Sequence, residues 1–315
     1  VGLQPDVVFS DYTPLSSNLE MARRLLTPLN AARLPVLVAQ SGKALREQPV
    51  DLAQEKYALY VPPTPPPNGY GLLVFVPPWD EGKMPVGWGP VLDRLGVIYV
   101  SAARSGNDQS VLGRREPLAI LAAANVMARY KVDPARVYIG GMSGGSRVAM
   151  RIALGYPDVF KGAFLNAGSE PVGTETAPIP PKDLLAELQS SMHLVYVTGG
   201  DDTVNLGYDA ASQQSMRSWC VFDIDVQTTL GAAHQTANPA ALAKALEALE
   251  KPRPPSPKSL DACRARLDRD VAAELDRVDA LIKAGKRDEA RAMLAKIDAR
   301  FGGLAAPRSL ELQAK

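Results

Sequence analysis

Two cysteines and two histidines in 315 residues leave little material for metal chemistry. The histidines lie far apart, no H-x-x-x-H pair occurs, and the cysteines lack ligand spacing, so no metal site and no cofactor is expected. Excess charge of either sign is also missing. Thirty-five Lys plus Arg face 34 Asp plus Glu, a net charge of +1 that provides no field to draw in nucleic acid or an anionic membrane. No apolar run approaches the roughly 20 residues that span a bilayer. The opening "VGLQPDVVF" has no charged segment followed by an apolar one. It also lacks methionine, as a chain would after removal of a signal peptide or after trimming. Cys220 and Cys263 are too few for a disulfide scaffold; they either form one bridge or remain two reduced, half-buried thiols.

What is present is apolar sequence, 46% of the chain, enough for one large domain or a domain with an appendage. Short β-rich runs alternate with helical patterns from Val7 to Pro252, as in a mostly parallel sheet with helices on both faces. The runs "VVFSDY", "PVLVAQ", "YALYVPP", "GLLVFVPP", "VIYVSA", "RVYIGG", "GAFLNAG", "HLVYVTGG" and "VFDIDVQTTL" read as strands. "PLAILAAANVMARY" and "NPAALAKALEAL" read as helices, the second with Asn238 as N-cap and Pro239 in the first turn. The proline-rich "KPRPPSPKS" reads as an extended spacer. This divides the chain into a domain over 1–252, a linker over 253–259 and a helical hairpin over 260–315. The hairpin, broken at "KAGK", resembles one tetratricopeptide unit, too few to stand alone, and is expected to pack on the main domain.

One stretch carries chemistry. Gly141-Met142-Ser143-Gly144-Gly145 matches G-x-S-x-G, with the strand "RVYIGG" running in and the helix "GSRVAMRIALGYP" running out. Strand, sharp turn and helix are what an exposed serine nucleophile requires. The plainer alternative is a tight turn whose serine caps the helix. A serine needs a base. His193 opens a strand, at the edge of the sheet away from the strand C-termini, and reads as structural; His234 follows the last strand on the ligand-binding side. "VTGGDDTVN" offers Asp201 and Asp202 at another strand end, and Asp202 is assigned as the acid, with one aspartate meeting the histidine while the other caps the following helix. Oxyanion donors are expected from the Gly144 N–H and from Trp79, the first residue after Pro77-Pro78 able to donate, whose ring could also wall the acyl pocket. Arg104, Asn107 and Arg115, on the loop after "VIYVSA", are candidates to contact substrate.

"VDPARVYIGGMSGGSRVAMRIALGYPDVFKGAFLNAGS", with "VTGGDDTVN" and "GAAH" in order behind it, resembles the α/β-hydrolase superfamily, and within it the polyhydroxybutyrate depolymerase-like and feruloyl esterase-like serine esterases. The likeness spans about Tyr57 to Pro252. It implies an α/β-hydrolase-type sheet and cofactor-independent ester hydrolysis, with Ser143 as nucleophile, Asp202 as acid and His234 as base. Members usually carry His-Gly where this chain has Pro77 and Pro78, and Gly-His-Thr where it reads Ala233-His234-Gln235. Export to periplasm or medium is the family habit. The competing functions are a peptidase or acyltransferase using the same triad, and a binding protein that keeps the fold without turnover. The acyl group, the oligomeric state and the hairpin's role are not specified by these residues.

Overall fold

In the computed structural model, which describes residues 2–315, the strands are β1 (Gly2–Val7), β2 (Tyr57–Val61), β3 (Tyr70–Val76), β4 (Val97–Ala102), β5 (Val132–Met142), β6 (Gly162–Asn166), β7 (His193–Gly199) and β8 (Ile224–Thr229). They form one sheet in the order β1-β2-β4-β3-β5-β6-β7-β8. β3 to β8 run parallel, while β2 is antiparallel to both β1 and β4. This is an α/β-hydrolase-type sheet. The helices are α1 (Asn18–Leu25), α2 (Pro28–Gln40), α3 (Gly89–Leu95), α4 (Glu116–Arg129), α5 (Gly144–Gly155), α6 (Lys182–Ser191), α7 (Thr203–Ser218), α8 (Pro239–Leu249), α9 (Pro257–Lys283), α10 (Arg287–Phe301) and α11 (Arg308–Gln313).

Every residue of β3, β4, β6 and β7 is buried, which is why these strands read as unbroken apolar runs. Alternation sorts their side chains to two sides. Leu73, Phe75, Tyr99, Phe164 and Val197 pack with α3 and α8, while Leu72, Val74, Val100, Ile139 and Leu165 pack with α4 and α5. Asn238 caps α8 as its sequence indicates, accepting from the Ala241 N–H at 2.8 Å.

Two strand expectations fail near the N-terminus. "VVFSDY" lies almost wholly after β1, which is the preceding Gly2–Val7. β1 accommodates Pro5 and Asp6, the latter at φ +55, because it is an edge strand with an irregular register to β2, and edges and bulges accept proline. "PVLVAQ" is the second half of α2, with Pro35 inside the helix. A short apolar run does not distinguish helix from strand, and the Thr27 cap, with Pro28 at the first turn, sets the helix seven residues upstream.

The C-terminal helices share the main core. Leu260, Leu267, Val271, Leu294 and Phe301 belong to the same apolar cluster as α4 and α5, and Phe301 packs edge-on to Trp219 at 5.7 Å. Arg264 on α9 donates to Gln189 Oε1 at 2.6 Å and to the Ala186 carbonyl at 2.8 Å. Cys220 and Cys263, left open by the sequence, form a disulfide that joins the segment after α7 to α9. α9 begins at Pro257, inside the stretch read as spacer, and α11 follows the hairpin unannounced. His193 is fully buried at the start of β7, with Nε2 2.7 Å from Asp225 Oδ2, and Arg253 ties Asp223 and Asp225 together beside it.

Candidate active site

β5 ends by turning through Ser143 into α5 at the C-terminal edge of the sheet. Ser143 sits at φ +56, ψ −121, a backbone state that costs roughly 1–3 kcal/mol and persists only where surroundings enforce it. They do so by close approach. A Cβ on Gly145 would run into the Val76 carbonyl, and one on Gly168 into the Ser143 carbonyl. The Ser143 N–H donates to the Asn166 carbonyl at 2.8 Å, and Ser146 Oγ donates to the Gly168 carbonyl at 2.5 Å. The serine does not cap α5, so its hydroxyl is free for another partner.

That partner is His234. Ser143 Oγ lies 2.9 Å from His234 Nε2, and His234 Nδ1 lies 2.7 Å from Asp202 Oδ2. An ionised carboxylate can only accept, so Nδ1 carries the proton and Nε2 is left to accept from the serine. Asp202 is buried, with 6% of its side chain exposed, whereas 44% of the His234 side chain is exposed. Burial alone would raise the Asp202 carboxyl; bonds from His234 and from Asn205 outweigh it and hold the group below the usual carboxylate range. The same aspartate also caps α7 through the Asn205 N–H at 3.4 Å, so the expected division of labour between Asp201 and Asp202 does not occur. Asp201 is exposed.

The Gly144 and Trp79 N–H groups donate to no acceptor among the described residues. The Trp79 ring packs toward Phe75 at 6.2 Å, with the Lys83 ammonium 4.7 Å from its centroid. The three loop candidates separate. Arg104 turns from the cleft to Glu55 Oε1 at 3.1 Å and the Gln54 carbonyl at 3.0 Å, because the buried Glu55 draws in both it and Arg114. Arg115 is buried too: Nη2 donates to the Pro77 carbonyl at 2.8 Å and Nε to the Ser105 carbonyl at 2.9 Å. Burial and the neighbouring Arg151 lower its pKa to about 10, which leaves it a cation at neutral pH. It ties the segment at Pro77 to the one at Ser105 from beneath. Asn107 alone of the three is exposed beside Ser143, against Gly144.

Several supporting residues were not anticipated. Asn205 Nδ2 donates to both Asp202 oxygens at 2.9 Å, and its Oδ1 accepts from Arg147, one turn into α5, at 3.0 Å. Asn166 accepts from the Ala237 N–H at 2.8 Å and donates to the Val197 carbonyl at 3.0 Å, fastening the loop after His234 to the sheet. Trp88 Nε1 holds the Ala237 carbonyl at 3.0 Å. Asn205, three residues after Asp202 at a helix start, had a recognisable signal; Asn166 had none. Among the described residues no cluster of three or more His, Cys, Asp or Glu could hold a metal ion, and no helix is long and apolar enough to cross a membrane.

No protein-family model matches the chain. Over 52 residues it is 42% identical to a poly(3-hydroxybutyrate) depolymerase of Ralstonia pickettii, a match spanning 16% of this chain and 10% of that protein. Among solved structures, the feruloyl esterase module of Clostridium thermocellum aligns over 62% of this chain and 82% of its own, at 12% identity and a TM-score of 0.48. A thermophilic esterase of Thermogutta terrifontis aligns over 64% and 87%, at 17% and 0.44. Dipeptidyl peptidase 4 of Porphyromonas gingivalis aligns over 63% and 34%, at 16% and 0.46.

Proposed function

We propose that this chain is a serine hydrolase that cleaves carboxylic esters through an acyl-enzyme. The observation that carries the reading is the unbroken relay Ser143 Oγ to His234 Nε2 at 2.9 Å and His234 Nδ1 to Asp202 Oδ2 at 2.7 Å. His234 takes the serine proton as Oγ attacks the ester carbonyl, and the resulting imidazolium is stabilised by the buried Asp202 carboxylate. The developing oxyanion is met by the Gly144 and Trp79 N–H groups, the first at the N-terminus of α5, where the helix dipole also favours negative charge. His234 then passes its proton to the leaving alcohol, and water repeats the sequence to release the acid.

The 52-residue likeness to a poly(3-hydroxybutyrate) depolymerase supports 3-hydroxyalkanoate esters as the first substrates to try, with feruloyl esters second. The disulfide supports an exported protein, since such bonds persist in oxidising compartments. Hydrolysis of short p-nitrophenyl esters tests the reaction: wild type turns them over and Ser143→Ala does not, while circular dichroism shows both folded. Equal rates in the two proteins would overturn the reading.

A further inference from the structure

The double proline removes two N–H groups from the loop that faces Ser143, leaving Trp79 as its first donor. The loop after β4 brings another polar group to the same place. A Cβ on Gly144 would run into Asn107 Oδ1 and would lie 2.9 Å from Cγ and 3.4 Å from Nδ2. The Asn107 amide therefore fills the space of a missing side chain on the residue whose N–H receives the oxyanion. It is held there from the backbone: Asn107 N–H donates to the Pro78 carbonyl at 3.1 Å, Gly106 N–H to Asp80 Oδ1 at 2.8 Å and Arg104 N–H to the Asp80 carbonyl at 2.7 Å.

Its orientation follows from Arg115, whose Nη2 is 3.5 Å from Asn107 Oδ1. A guanidinium has donors only, so the amide oxygen must face it and the NH₂ must face away. Asn107 Nδ2 has no acceptor among the described residues, and the residue is exposed. We infer that Asn107 Nδ2 is a third donor to the developing oxyanion, making Asn107 a catalytic residue of the proposed ester hydrolysis, with Arg115 as the positioning residue that fixes its amide. The inference rests on the serine-hydrolase reading and adds to it a side-chain donor where the loop has lost backbone ones.

Asn107→Asp separates this role from a structural one. The change is isosteric, replaces the donor by a carboxylate oxygen, and exchanges the contact with Arg115 for an ion pair. Because the new carboxylate also opposes an oxyanion by charge, Asn107→Ser, which removes the Nδ2 donor without adding charge, is measured beside it and is expected to show the same fall in kcat; a wild-type kcat in Asn107→Ser overturns the inference. With a p-nitrophenyl ester, the expected result is a kcat about 10²-fold lower with KM little changed. The Tm should be unchanged or higher, and phenylboronic acid, whose adduct on serine is a tetrahedral anion, should lose affinity in step with kcat. A kcat within threefold of wild type, or a fall in kcat accompanied by raised KM and lowered Tm, overturns the inference while wild-type turnover keeps the serine-hydrolase reading. Absence of ester turnover in wild type itself would remove both.

Discussion

Replacing both Cys220 and Cys263 by alanine tests how the C-terminal helices are attached. The bridge joins residues 43 apart. In the chain-entropy description, closing a loop of that length in the unfolded state is worth about 4 kcal/mol at 25 °C. For a chain of 315 residues this corresponds to a fall in Tm of about 6 °C. The helices should nevertheless stay docked, because Leu260, Leu267, Val271 and Phe301 remain in the shared core and Arg264 keeps its bonds to Gln189 and Ala186. Trp219, adjacent to Cys220 and edge-on to Phe301, reports that docking directly. Urea titration followed by tryptophan fluorescence and by circular dichroism should show one coincident transition at lower urea. Ester turnover before the transition should be unaffected, since the bridge lies near the start of β8 and the triad at the opposite edge. A change below about 1 kcal/mol, or a Trp219 signal already lost in buffer, would refute the reasoning.

Other outcomes follow from the site and its support. Asp202→Asn should lower kcat about 10⁴-fold by removing the anion that fixes the His234 tautomer, while Tm holds because asparagine still caps α7. Burial raises the Glu116 carboxyl to about 7, against opposing pulls from Arg151 and Arg115. Its folded form binds the proton more tightly than the unfolded one, so this group's contribution to stability falls as pH rises from about 4.5 to about 7. Glu116→Gln should therefore gain on wild type by up to about 3 kcal/mol across that range, read from urea titrations at pH 4.5, 6 and 8; parallel curves would contradict it. Asn166→Ala should destabilise by about 1–3 kcal/mol by stranding the buried Ala237 N–H, while the Val197 carbonyl keeps its bond from the Ala167 N–H, and should lower kcat as the His234 loop loosens. Arg115→Lys, which cannot fork between two carbonyls, should lower kcat on p-nitrophenyl esters without abolishing folding.

The buried strands were legible because β3, β4, β6 and β7 are covered on both faces, and the elbow because Ser143 lies between a strand and a helix that each show their own pattern. Asp202 and His234 followed from their places at strand ends. What the sequence withheld was direction. Arg104, Asn107 and Arg115 share one loop and one polarity, yet buried Glu55 draws the first away, and the carbonyls of Pro77 and Ser105 draw the last inward. Only Asn107 is left beside the serine. Asn166 was invisible for a related reason: its partners, Ala237 and Val197, are backbone groups that carry no residue signature. At the N-terminus, the short apolar runs "VVFSDY" and "PVLVAQ" carry no period that separates strand from helix or loop, and the structure places them after β1 and inside α2.

The convergence of Ser143 and His234 has one most direct chemical readout, the site of covalent attack by a fluorophosphonate. Peptide mass mapping should place a single adduct on Ser143 in the wild-type protein and none in His234→Ala. An adduct on a different residue, or equal labelling of Ser143 in both proteins, would contradict a serine activated by that histidine.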